Sequence, residues 1–256
     1  MARWTREELL LALGLYFETP FGRQHKSYPP IVELAGVIGR TPSAVAMKLN
    51  NFTSLDPSEA ERGISGLTSA SNLDRNIWDE FQNNRELLVD SIERQRESQI
   101  EPNEEEAGEE YPLDFPAPEG PTTREVISTQ RRHQRFFRRV VLGSYGQRCC
   151  VTGLPVPTLL RASHIVPWKD SVEHRLNPHN GLCLSATFDT AFDEGLISFD
   201  AEYRLLIGAA IRECGADDEV KSVFLAREDQ ALHLPEKNLP DPELIRWHSE
   251  NIFNRR

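Results

Sequence analysis

The chain reads as an α+β protein of two domains, the first mainly helical with a helix-turn-helix-like unit, the second a mix of short strands and helices. Three observations predict this. Its 256 residues correspond to about two domains of ordinary size, and 39% of them are hydrophobic, which suffices for packed cores. A stretch rich in Glu and Pro, residues 97–122, separates two regions of different periodicity. Before it the apolar residues recur at helical spacing; after it they form short runs bounded by turn residues. The expected division is therefore a helical domain over residues 1–96, an extended acidic linker over 97–122, and a second domain over 123–256.

The helical region opens with Trp4, Thr5 and Glu8, where Thr5 and Glu8 have capping-box spacing and Trp4 can staple onto Leu9. A helix is expected from Thr5 until Pro20 and Gly22 stop it. Residues 31–52 follow with two apolar-periodic stretches divided at Gly39 to Pro42. Gly39 suits a sharp turn, Thr41 a helix cap and Pro42 a first helical turn. In a helix-turn-helix the second helix can enter a major groove, with Arg40, Ser43, Met47, Lys48 and Asn51 outward. Arg40, Ser43 and Lys48 are thus candidate DNA contacts; an ordinary helical hairpin is the alternative. Residues 63–81 add a capped helix whose Trp78 and Phe81 close the core.

The formal net charge of −11 would argue against a nucleic-acid partner if it were evenly spread. Segments 1–52, 53–122, 123–150 and 151–256 instead carry +2, −13, +6 and −6. The basic block contains Arg131, Arg132, Arg135, Arg138 and Arg139, interleaved with Phe136, Phe137 and Val140 in a helical pattern. Such a face suits phosphate, so Arg131, Arg135, Arg138 and Arg139 are candidate DNA contacts. Alternatively it is a solvated face neutralised by the acidic linker. No run approaches a membrane helix and the amino terminus lacks a signal peptide's apolar stretch, so a cytoplasmic protein with no membrane partner is expected. Cys149, Cys150, Cys183 and Cys214 form no C-x-x-C pair and read as reduced thiols, with no structural zinc expected.

Chemistry concentrates in residues 150–200. ASHIVPW places His164 in a short strand before Pro-Trp; PHNGLCL opens a second strand at Asn180; SATFDTAFDEG is a short helix ending at Gly195. In their order and spacing these pieces resemble an HNH nuclease domain, the ββα-metal fold, in the branch without zinc-binding cysteine pairs found in restriction-type and other bacterial defence nucleases. His164, flanked by Ile165 and Val166 and held by Pro167, can accept a proton from water near neutral pH. Asn180 can bond across the loop after His164 and fix its shape. Asp189 and Asp193 lie at i and i+4 on one helix face, where two carboxylates favour a hard cation, Mg2+ or Mn2+. His174 and His179 lie in the polar connection EHRLNPHNG and could approach the phosphate; the bland reading of both is exposed loop residues.

The resemblance implies phosphodiester hydrolysis, with His164 activating water and one divalent ion per active site supporting the leaving 3′ oxygen. Two departures stand out. Many members carry Asp or His before the base and a further His or Asn in the helix; here those places hold Ser163 and Asp189. The expected protein is an HNH endonuclease cutting double-stranded DNA, with modified bases among its candidate targets, as a homodimer in restriction or anti-phage defence. Two competing readings are a non-catalytic DNA-binding or regulatory protein with a degenerate HNH fold, and an HNH toxin acting on RNA or host DNA.

Overall fold

The computed structural model describes residues 3–99 and 121–253 and is α+β, in two compact units, Met1–Gly143 and Ser144–Arg256. The expected linker lies mostly outside the described residues; its ends, 97–99 and 121–122, are helical.

The first unit is built on helix α1 (Arg6–Glu18), whose residues Leu9 to Phe17 are all buried. A helix apolar on every side must be surrounded. Around it run α2 (Pro29–Val37), α3 (Pro42–Thr53), the short α4 (Pro57–Glu61), α5 (Asn72–Asn83) and α6 (Arg85–Gln99), of which α2, α3, α5 and α6 contact α1. The capping box at Thr5 and Glu8 forms as the spacing predicts. So does the turn between α2 and α3: Gly39 adopts φ +64, the left-handed region open to glycine, and the Thr41 hydroxyl accepts from the Ala44 amide at 3.2 Å. The inner face of this helix pair is Leu34, Ala35, Val45 and Leu49, all buried.

A correction concerns helix α7 (Pro121–Ser144), expected to begin the second domain. The division falls at Gly143, so α7 belongs to the helical unit. The cause is packing within that unit. Phe136 meets Phe17 edge-on with centroids 6.2 Å apart, and a Cβ on Gly143 would lie 2.3 Å from the Glu18 carbonyl oxygen, so the end of α7 runs hard against the end of α1.

The second unit holds two separate antiparallel hairpins. Strands β1 (Leu160–His164) and β2 (Gly181–Ser185) pair from Leu160↔Ser185 to His164↔Gly181, and helix α8 (Ala186–Asp193) packs back on both. Gly195 ends that turn at φ +66, where a Cβ would come within 2.8 Å of the Ile252 carbonyl, so only glycine fits. Strands β3 (Ile197–Phe199) and β4 (Leu205–Ile207) form a two-stranded sheet of their own. Helices α9 (Ala209–Glu213), α10 (Asp218–Val223) and α11 (Pro242–Asn251) complete the unit. No helix among the described residues is long and apolar enough to cross a membrane.

His248 of α11 is buried at 1% exposure, stacked on Phe192 at 3.6 Å. Its Nε2 donates to the Phe192 carbonyl at 3.2 Å and its Nδ1 lies 2.9 Å from the Ser198 hydroxyl. Burial pushes its imidazole down to about 4. The folded value lies below the roughly 6.5 of an unfolded histidine, so the stabilisation is complete above that pH and is lost as pH falls toward 4, about 3 kcal/mol at full extent. The urea midpoint of the wild type is expected to drop over this window, and a His248→Gln variant to show a flatter acid limb; equal slopes would contradict the assignment.

Candidate active site

β1 and α8 put Ser163 and Asp189 in contact, and the turn before β2 sets Asn180 against the loop that follows His164. On a strand, neighbours face opposite ways. Ser163 accordingly points inward, 4% exposed, toward α8, while His164, the last residue of β1, stays partly open to solvent. The connection from 165 to 180 then loops out and returns through a short turn, Pro178–Asn180, into β2.

The His164 ring is held from two directions. Nε2 lies 3.0 Å from the Arg175 carbonyl oxygen, and the Trp168 ring meets the imidazole edge-to-face at 5.6 Å. A carbonyl only accepts, so Nε2 carries the proton and the basic lone pair is on Nδ1. Burial pushes the imidazole down to about 4, against the raising effect of the bond to Arg175. It is neutral at physiological pH, the state a general base needs.

Asn180 is fully buried and all three of its side-chain bonds reach main chain across the loop. Oδ1 accepts from the Val166 amide at 2.8 Å; Nδ2 donates to the Val166 carbonyl at 3.0 Å and to the His174 carbonyl at 3.1 Å. Its own carbonyl accepts from the Ile165 amide at 2.9 Å. The side chain thus ties together the main chain of the loop next to His164.

The two positions that depart from the common HNH pattern touch each other. Ser163 Oγ donates to Asp189 Oδ1, which sits in the first turn of α8. Asp193 ends the helix and is exposed. Among the described residues no group of three or more His, Cys, Asp and Glu is disposed to cage a metal. The donors suit instead a hydrated hard cation that takes one or two carboxylates and completes its shell with water and phosphate.

The candidate DNA contacts of the first unit fare differently. Arg40 is drawn inward: its Nε and Nη2 donate to Glu8 at 3.0 and 2.8 Å, and its guanidinium lies 5.0 Å over the Trp4 ring. Lys48 and Asn51, expected outward, are buried; Lys48 Nζ bonds both oxygens of the fully buried Asp74 at 2.9 Å. In α7, Arg132 bonds Asp90 and Glu97, Arg135 bonds Glu97, and Arg139 bonds Glu18 and Glu93. The acids that neutralise this basic face come from α1 and α6. Arg138 is half-buried, whereas Ser43 and Arg131 are exposed. Lys48→Ala is expected to cost about 3–5 kcal/mol of stability by stranding the Asp74 carboxylate. Chemical denaturation measures it; an unchanged midpoint with weakened DNA binding would restore Lys48 as a reader.

Two residues of the site were not singled out in the sequence, and for a third, His174, it is the main chain that takes part. Trp168, Arg175 and the carbonyl of His174 all belong to the loop, and only the pairing of His164 with Asn180 across it could have pointed to them. No curated protein sequence matches the chain. Residues 149–200, the segment that contains β1, the loop, β2 and α8, match the family described as HNH endonuclease (HNH_2), so the second unit carries an HNH endonuclease domain, which implies a nuclease acting on nucleic acid.

Proposed function

We propose that the protein is a divalent-metal-dependent DNA endonuclease of restriction or anti-phage defence, in which His164 is the general base. The observation that supports it most is the fixing of the base. A neutral imidazole with its Nε2 proton committed to the Arg175 carbonyl lies inside the matched HNH segment, and Asn180 braces the loop that holds it. His164 Nδ1 takes a proton from water, the water oxygen bonds to phosphorus, the bond from phosphorus to the 3′ oxygen breaks, and the leaving oxygen is protonated from solvent. Asp189, with Asp193 one turn on, would hold Mg2+ or Mn2+, which stabilises negative charge on the phosphate and leaving oxygen when bound. Cutting both strands calls for two such sites, hence a homodimer. Ser43 and Arg131, exposed in the first unit, are the remaining candidates there for contact with DNA.

The thin donor set favours one second reading, a DNA-binding protein whose HNH fold no longer takes metal. Cleavage of plain plasmid, modified phage DNA and RNA, each with Mg2+, Mn2+ or chelator, separates the two. Metal-dependent nicking of DNA by the wild type, lost in His164→Ala, is the expected result. Intact DNA under every metal, together with no Asp189-dependent metal binding by calorimetry, would establish the non-catalytic reading, and preferential loss of RNA would move the substrate.

A further inference from the structure

The loop that carries the base also carries an arginine held without a carboxylate. Arg175 Nε donates to the Trp168 carbonyl at 3.0 Å, and its guanidinium lies 5.2 Å over the Trp168 ring. It makes no ion pair among the described residues, unlike Arg132, Arg135 and Arg139 of α7. Anchoring at Nε and stacking on an aromatic face fix the plane of a guanidinium without neutralising it. The remaining edge of the fork is the pair of Nη groups, the edge that grips a phosphate with two parallel hydrogen bonds. The main-chain carbonyl of this same residue receives the Nε2 proton of His164, and the Trp168 ring that supports the guanidinium also meets His164 edge-to-face. One small framework, His164, Trp168 and Arg175, therefore fixes a base and an uncommitted cation relative to each other.

We propose that Arg175 grips the phosphate undergoing attack, orienting it toward the water that His164 deprotonates and offsetting charge on its non-bridging oxygens as the pentacovalent state forms. This rests on the nuclease reading above. A residue that only braces the loop would lend stability but would not add to the count of phosphate contacts, and that difference is measurable.

The experiment uses the full-length protein. In a His164→Ala background, binding to a double-stranded oligonucleotide is followed across salt concentrations with and without Arg175→Met, which keeps an apolar stem over Trp168. The slope of log affinity against log salt is expected to fall in magnitude by about 0.9, one phosphate contact. In the otherwise wild-type protein, Arg175→Met is expected to lower the single-turnover cleavage rate by about 10²-fold or more and Arg175→Lys, which keeps charge without the fork, by about tenfold. An unchanged slope and rate in Arg175→Met, with cleavage still dependent on His164, overturns the inference and leaves the nuclease reading standing. If Arg175→Met fails to melt cooperatively, Arg175→Lys decides alone, and a wild-type rate there overturns the phosphate grip. Should His164→Ala cleave as fast as the wild type, His164 is not the base and this inference falls with that assignment, whereas DNA left intact by the wild type under every metal removes the nuclease reading itself.

Discussion

Replacing His164 with alanine is expected to lower the rate of DNA cleavage by about 10²–10⁴-fold, the range that loss of a positioned general base produces. The fold should survive, because Asn180 bonds the loop main chain without the ring. The pH profile of the wild type gives a sharper check. With the imidazole held down at about 4, the neutral form persists to lower pH than in a free histidine. The acid limb of kcat/KM set by this group is thus expected near pH 4, with activity level from there up toward neutrality. A limb near 6.5 would mean an imidazole surrounded by water, and the enclosing role of Trp168 and the Arg175 carbonyl would have to be abandoned.

The second large effect is expected from Asn180→Ala. The truncation leaves the Val166 amide, the Val166 carbonyl and the His174 carbonyl without their partner inside a buried site, at about 1–3 kcal/mol for each group that water cannot reach. A total loss of about 3–5 kcal/mol is expected, read from chemical denaturation. Cleavage should fall further than stability alone explains, by about 10²-fold under conditions where the variant is folded, because the loop that positions the base is released. Asn180→Asp supplies a control. It retains an acceptor for the Val166 amide but replaces the two donated bonds with a buried charge facing two carbonyl oxygens. It should be no better than alanine, and wild-type behaviour in Asn180→Asp would show that the donated bonds contribute nothing.

What could be read in the sequence was whatever rests on local chemistry. The Thr5 and Glu8 box, the Gly39 turn with its Thr41 cap and the strand bearing His164 depend on neighbours a few residues away, and each appears where expected. Partner choice over long distances was not legible. The arginines of α7 looked like a phosphate-binding face because residue spacing reports which side chains share a helix face, not which acids lie opposite. Glu18, Asp90, Glu93 and Glu97 are remote in sequence and take those arginines into ion pairs. For the same reason Lys48 read as an outward reader when its counter-ion, Asp74, lies a further helix away and is wholly buried. In the site itself the miss was Arg175, since nothing in its local sequence reports that its carbonyl meets His164 or that its side chain finds Trp168.

The way Asn180 closes its loop separates two kinds of inheritance in this protein. All three side-chain bonds of that amide end on main-chain atoms, and the fourth contact, to Ile165, is main chain throughout. The geometry around the base is then indifferent to the identity of side chains at 169–173, most of which are exposed. Those five positions form a natural graft point: their sequence can drift, or be exchanged wholesale by an engineer seeking a different target preference, while the machinery beneath them stays in register.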